Sequence, residues 1–341
     1  MDKVKPTIED VARVAGVSRA TASRVINNTP GASGPLRARV HAAVAELGYQ
    51  PNEAARSLAS GRIRAVDVIA VTYGPDIGWL GTHPYFSRVL SGMMPVLEGA
   101  RAQLRLHAVG LDAAGDAIDE IAANATVGAV LADITPELAT RFHRRCRRVV
   151  SMVPTAASVP AIQADNIGGA YAAVGELHRL GRRRIAAIHG PAFNPCAIDR
   201  RIGYQRAVHD LGLPQASVDG DFHRDGGHRA ARQLLQQDSD IDAMFIACDL
   251  MAAGAVQAIT ATGRRVPDDV SIIGFDDSIA AVCINPPLTT MRLPVEEMAA
   301  AATRLLLGGI PAAGHRLQFP VELVTRGSTP TPTPGAFDNP A

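Results

Sequence analysis

Apolar positions recur along this chain with two different periods, and the change of period divides it. Up to about residue 50 they return every three or four residues: Ile8, Val11, Val14 and Ala15, then Ala22, Val25 and Ile26, then Leu36, Val40, Val44 and Leu47. That spacing is one face of a helix. From Ala65 onward the pattern becomes short apolar or β-branched runs separated by helical stretches. Strands are predicted at Val66 to Val71, Leu104 to Val109, Val127 to Ala132, Arg148 to Val153, Ile185 to His189, Ala243 to Ala247 and Ser271 to Phe275. Helices are predicted at 84–101, 117–124, 136–145, 168–180, 200–211, 227–237, 251–262 and 295–307. So regular an alternation of strand and helix implies parallel sheets covered on both faces. With 341 residues in the chain, the second part exceeds what one core organises. It divides into two α/β subdomains, with a ligand cleft outside the carboxyl ends of the strands.

Punctuation sharpens the helical part. Thr7 can cap a helix whose Asp10 bonds back to the Thr7 N–H, and Gly16 sits where that helix needs a left-handed stop. Ser18 can cap the second helix, with Ala22, Val25 and Ile26 inward and Arg19, Ala20, Ser23 and Arg24 outward. A third helix, about Ser33 to Leu47 and stopped by Gly48, closes a small core through Leu36, Val40, Val44 and Leu47. Guanidiniums suit guanine edges, and hydroxyls and helix N-termini suit phosphates. The plain alternative is an αα-hairpin with a solvated basic face.

Charge separates these readings. Residues 1–64 hold ten basic and five acidic residues, a net of +5; the remainder holds 24 and 28, a net of −4. Only the first part suits a polyanion.

Between the two parts, Pro51 and Ser60-Gly61 mark a linker. Asn52 can cap a short helix through Leu58 that is marginal alone and folds when something packs on it. Leu58 is its large apolar residue, able to wedge into a DNA minor groove; a flexible linker is the alternative.

At the predicted strand ends stand Tyr73, Asp76, Trp79, His83, Tyr85 and Phe86, then Asp199, Arg200 and Arg201 at a helix start, then Asp221-Phe222, Cys248-Asp249 and Asp276-Asp277. Carboxylates and an arginine around aromatic faces suit a polyhydroxylated ligand, although Asp249 and Asp276 could instead cap helices and Trp79 could be rim packing.

Other chemistries lack their signatures. Cys146, Cys196, Cys248 and Cys283 are widely spaced, with neither zinc-ligand nor disulfide-framework spacing, so no metal is expected. There is no P-loop, no G-x-G-x-x-G after a strand and no G-x-S-x-G, so neither a cofactor nor an enzyme is expected. No apolar run approaches the roughly 18 residues of a membrane span, and no signal peptide opens the chain. A cytoplasmic protein is expected.

The motifs Thr7-Ile-x-Asp-Val-Ala, Ala15-Gly-Val-Ser18, Thr21-x-Ser-Arg24-Val-x-Asn27, Leu47-Gly-Tyr-x-Pro-Asn52 and Ala55-x-x-Leu58 resemble the LacI family of bacterial transcriptional regulators. So do His189-Gly-Pro191, Arg200 with Gly203-Tyr204, Cys248-Asp249, Ile273-Gly-Phe-Asp-Asp277 and Pro287-Leu-Thr-Thr290. The resemblance implies an α/β protein: a helix-turn-helix domain at 1–50, a hinge helix and linker at 51–64, and a periplasmic-binding-protein-like core at 65–327. The core's N-subdomain would comprise about 65–163 and 291–318, its C-subdomain about 164–290 and 319–327, and 328–341 would be a disordered tail.

By that resemblance Arg19, Ala20 and Arg24 face major-groove bases, Thr7, Ser18 and Ser23 meet phosphates, and Thr21 and Asn27 complete the contact set. Tyr49, Asn52, Ala55 and Leu58 match the hinge. Arg200, Phe222 and Asp276 match effector-binding positions, and Trp79, Tyr85, Cys248 and Asp249 join them from the strand-end reading. Cys248 stands where the family often has Asn, and the loop from Tyr73 to Pro84 is longer than usual. The implied partners are palindromic double-stranded operator DNA bound by a homodimer and a small-molecule effector, a sugar by preference. A purine-like co-repressor is the alternative within this class, and a solute-binding protein the alternative outside it. A proline-broken tail without a heptad argues against a coiled-coil tetramer.

Overall fold

The structure is a computed structural model that describes residues 6–26, 31–49, 64–72 and 83–330. It resolves into two compact units, Met1–Ile63 and Arg64–Ala341.

In the first unit, α1 (Ile8–Ala15), α2 (Arg19–Ile26) and α3 (Gly34–Leu47) enclose a small core of Val11, Ala15, Val25, Val40 and Ala43. Val44, Leu47 and Tyr49 pack against it, and Leu36 lies outside it. The expected capping box is present. The Asp10 N–H donates to Thr7 Oγ1 at 3.3 Å and the Thr7 N–H to Asp10 Oδ2 at 2.9 Å. Gly16 takes φ 60°, and a Cβ there would stand 2.5 Å from Arg39 Nη2. Arg39 reaches across from α3 to donate to the Ala15 and Gly16 carbonyls, satisfying acceptors that the end of α1 leaves open.

The second unit holds two six-stranded sheets. The first has the order β11-β5-β4-β3-β1-β2, from β1 (Ala65–Thr72), β2 (Gln103–Gly110), β3 (Gly128–Asp133), β4 (Val149–Ser151), β5 (Ala161–Ala164) and β11 (Arg316–Phe319). The second has the order β12-β10-β9-β8-β6-β7, from β6 (Ile185–His189), β7 (Ala216–Asp219), β8 (Ala243–Ile246), β9 (Ser271–Asp276), β10 (Thr289–Arg292) and β12 (Glu322–Val324). Pairing is parallel except for β10 with β12. The inner strands β1, β3 and β8 are buried along their whole length, as strands covered on both faces must be. Covering them are α4 (Pro84–Gly99), α5 (Ala114–Asn124), α6 (Pro136–Arg145), α7 (Asn166–Arg179), α8 (Pro195–Asp210), α9 (Arg224–Gln237), α10 (Asp249–Ala261), α11 (Ile279–Cys283) and α12 (Val295–Leu307).

The chain passes between sheets after Ala164, Arg292 and Phe319, within two residues of the approximate bounds expected, the middle crossing set by the pairing of β10 with β9 along its whole length. Two expectations are corrected. The helix expected from Arg200 begins at Pro195, since Asn194 Oδ1 accepts from the Cys196 and Ala197 N–H groups, so Arg200 lies in its second turn. The disordered tail does not begin at 328. Ser328 and Thr329 are buried, with Ser328 Oγ donating to the Ile272 carbonyl and accepting from the Thr289 N–H, which ties the segment to β9 and β10. Residues 331–341 lie outside the described set.

Candidate DNA-reading helices and effector cleft

On α2 the side chains of Arg19, Ala20 and Arg24 are exposed, while Ala22 and Val25 are buried. Ser18 Oγ accepts from the Thr21 N–H at 3.1 Å and lies 2.9 Å from Thr21 Oγ1, so it caps α2 as its position predicts. Arg19 Nε meets Glu9 Oε1 of α1 at 2.7 Å, both residues being exposed. Such a pair is worth about 0–1 kcal/mol and yields readily to a phosphate or a base. Ser23 is half-buried and Tyr49 packs on the helical core. Asn27, Asn52, Ala55 and Leu58 lie outside the described residues, as do Tyr73, Asp76 and Trp79.

In the second unit the carboxyl ends of the strands border a cavity of about 610 Å³, part of it open to solvent. From the first sheet come Asp133 ending β3, Met152 and Val153 after β4, and Ala164 ending β5. His83, Tyr85 and Phe86 come from the start of α4, Asn166 from α7, Asn194, Cys196 and Arg200 from α8, Phe222 from the loop before α9, Asp276 from β9, and Leu293 and Met298 from the α12 crossover.

Arg200 is the pivot of the polar wall. Its Nε donates to Asn166 Oδ1 at 2.8 Å, its Nη1 donates to the Ala247 carbonyl and stands 3.4 Å from Asp276 Oδ1, and its guanidinium lies 3.8 Å over the Phe275 ring. Nη2 takes no part in these bonds. A guanidinium so fixed presents donors at little entropic cost.

Burial pushes Asp276 above the usual carboxylate range, opposed by Arg200 and Arg88. Burial also takes Asp133 up to about 7; Asn194 Nδ2 donates to its Oδ1 at 3.2 Å. The Cys196 thiol is pushed by burial to about 12 and is inert as a nucleophile at neutral pH.

Phe222 has φ 63°, Asp276 φ 116° and Asp277 φ 54°. Left-handed backbone at three non-glycine residues beside one cavity is strain that the surrounding structure must maintain, and such strain gathers at ligand sites. The Phe222 ring covers Gly190, where a Cβ would stand 2.3 Å from ring carbons.

The structure thus brings Tyr85, Arg200, Phe222 and Asp276 together and sets Cys248 and Asp249 apart. Both are buried but line no part of the cavity. Cys248 Sγ caps α10, accepting from the Met251 N–H at 3.4 Å. Asp249 accepts from Thr290 Oγ1 and the Ser278 N–H, each at 2.6 Å, which joins α10 to β10 and α11. These two are structural ties. Asp133, Asn166 and Asn194 escaped the sequence reading. Asp133 directly follows a predicted strand and could have been found there, and the Asn194-Pro195 cap was obscured by placing the helix start at Arg200.

Residues 7–52 match the family described as bacterial regulatory proteins, lacI family, and residues 174–329 match a periplasmic binding protein-like domain. The HTH-type transcriptional regulator CelR of Thermobifida fusca is 34% identical over 319 residues, 90% of this chain and 92% of its own. The chain belongs to the lacI family. It is a DNA-binding transcriptional regulator and no enzyme. Among solved structures, a CelR–cellobiose complex superposes with a TM-score of 0.71 at 31% identity, covering 95% of this chain and 99% of that one. A lac repressor dimer bound to operator and the anti-inducer ONPF gives a TM-score of 0.72 at 27% identity, covering 96% and 99%. No helix among the described residues is long and apolar enough to cross a membrane.

Proposed function

We propose that this lacI-family regulator is a cytoplasmic repressor, a homodimer on a palindromic operator, controlled by a sugar or glycoside held in the cleft. The observation that carries the effector class is the pairing of a fixed Arg200–Asp276–Asn166 wall and a buried Asp133–Asn194 pair with the aromatic faces of Tyr85, Phe86 and Phe222. Polar groups of this kind hold hydroxyls, and rings pack on the C–H faces of a pyranose. The related CelR holds cellobiose in its solved complex, and the lac repressor is a dimer on its operator. Arg19, Ala20 and Arg24 would face bases, with Thr7, Ser18, Thr21 and Ser23 toward phosphates. Arg200, Asp276, Asp133 and Asn194 would bind the effector's hydroxyls, and Phe222 and Tyr85 its ring.

A thermal-melting screen of monosaccharides, disaccharides, glycosides and purines tests the effector class. A ligand present at a hundred times its Kd adds about 2.7 kcal/mol and raises the melting temperature by a few degrees. A response to purines alone would transfer the site to that class, and a flat response across all compounds would remove the effector half of the proposal.

A further inference from the structure

In the first sheet the carboxyl ends of the strands build the cleft, so the amino ends face the opposite way. That opposite rim is basic. Arg64 precedes β1, Arg101 lies just before β2, Arg144 stands in the last turn of α6, Arg147 and Arg148 lead into β4, and Arg316 opens β11. Because β1 to β5 and β11 run parallel, these residues lie along one edge from end to end of the sheet. All six are exposed.

The partners of these arginines leave the charge in place. Arg64 Nη1 donates to the Ala100 carbonyl at 3.0 Å, Arg148 Nη1 to the Thr126 carbonyl at 3.1 Å, and Arg316 Nη2 to the Ala156 carbonyl at 2.9 Å. Main-chain carbonyls fix a guanidinium without neutralising it. Among the described residues none of the six has a carboxylate partner; by contrast, Arg145, which ends α6 beside Arg144, and Arg141 one turn earlier share Asp119. The exposed carboxylates in the last turns of α4 and α5 are Glu98 and Glu120.

Helix C-termini attract cations, which accounts for Arg64 at the end of α4 and Arg144 at the end of α6. Arg101 and Arg147, each two residues past the end of the same two helices, differ in that they have no main-chain carbonyl partner among the described residues, so their guanidiniums are left to face solvent. Since residues 65–341 are net acidic overall, a six-arginine edge is a local exception to the charge of its own unit. The chain also joins the DNA-reading unit at this edge, since Arg64 directly precedes β1. The stretch from Tyr49 to Arg64 can span at most about 50 Å, so the edge is tethered to whatever duplex α2 reads.

We infer that the amino-end rim of the first sheet is a second DNA-contacting surface, which binds the phosphate backbone of the duplex without reading its sequence. Its contribution is electrostatic and should register as released counterions.

The test uses the full chain, a random-sequence duplex of about 40 base pairs and a salt series. The variant carries R101Q and R147Q, two exposed side chains with no hydrogen bond or ion pair among the described residues. A control carries R206Q and R232Q, exposed arginines of α8 and α9 with the same change in net charge. The rim variant should flatten the slope of log K against log salt by about 1 to 2 and weaken binding about tenfold at low salt, with the melting curve unchanged. The control should leave the slope in place. An unaltered slope in the rim variant, or an equal loss in the control, overturns the inference; R147E, which reverses a charge, should deepen the loss.

Discussion

At the residue scale the most consequential side chain of the cleft is Asp133, because its environment sets both a stability and a binding behaviour. The folded protein holds this proton up to about pH 7, whereas the unfolded chain releases it near 3.8. Between those values the folded state binds more protons, so stability falls as pH rises and levels off above 7. Asp133→Asn keeps a group of the same shape beside Asn194 and removes the cost of a buried charge. The variant should melt higher than the parent at pH 8, by no more than about 4 kcal/mol, with the difference gone by pH 4; effector-free thermal scans across that range read it. A parent and variant that differ equally at pH 4 and pH 8 would show that ionisation is not the cause. The DNA side offers a second residue-level prediction. Arg24→Ala should cost about 1 to 3 kcal/mol and relax preference at one base pair in a binding selection. A uniform loss on all sequences would instead make Arg24 a phosphate contact.

At the element scale, local rules decide where each helix begins and stops. Gly16→Ala forces a Cβ into the left-handed region against Arg39, which should destabilise the helical unit by about 1–2 kcal/mol and weaken duplex binding while the melting of the α/β core stays where it was. Equal DNA binding by this variant would mean that the turn tolerates a side chain. The same local rules explain what was readable in the sequence. Thr7, Gly16, Ser18 and Gly48 are caps and stops with fixed geometry, and β1, β3, β6, β8 and β9 are buried on both faces and announce themselves as apolar runs. The edge strands β7, β11 and β12 are partly to largely exposed and only three or four residues long, with sequences Ala-Ser-Val-Asp, Arg-Leu-Gln-Phe and Glu-Leu-Val; the first two alternate, but over too few residues for the period to stand out. β10, Thr-Thr-Met-Arg, is set by its neighbours β9 and β12 rather than by its own composition. The cleft was legible as far as strand ends were legible. Its separation of Asp249 from Asp276 was not, because two acidic residues at strand ends look alike until Thr290 and Ser278 are seen to occupy one of them.

At the scale of the whole molecule, effector control as proposed requires that the cleft and the helical unit share a free energy, and within the second unit one side chain ties together the two subdomains that border the cleft. Arg88, on the α4 helix that covers the first sheet, donates from Nε and Nη2 to the Glu296 carboxylate of the α12 crossover, each at 2.7 Å. Its Nη1 donates to the Asp276 carbonyl at 2.7 Å and its Nη2 to the Leu293 carbonyl at 2.8 Å, and both of those residues line the cavity. One guanidinium therefore binds the main chain of the second sheet, the crossover and the first subdomain together. An effector that engages the Asp276 carboxylate acts on a residue whose own backbone is held from the other subdomain. Coupling between sites is reciprocal and amounts typically to about 1–3 kcal/mol. The factor by which effector changes operator affinity should therefore equal the factor by which operator changes effector affinity. Arg88→Gln keeps a polar side chain but loses the four-way grip. In titrations of an operator selected from random duplexes, with and without the sugar that raises the melting temperature, this variant should bind DNA with its original effector-free affinity. Its response to the sugar should shrink several-fold toward none. An undiminished response would place the coupling in elements other than Arg88.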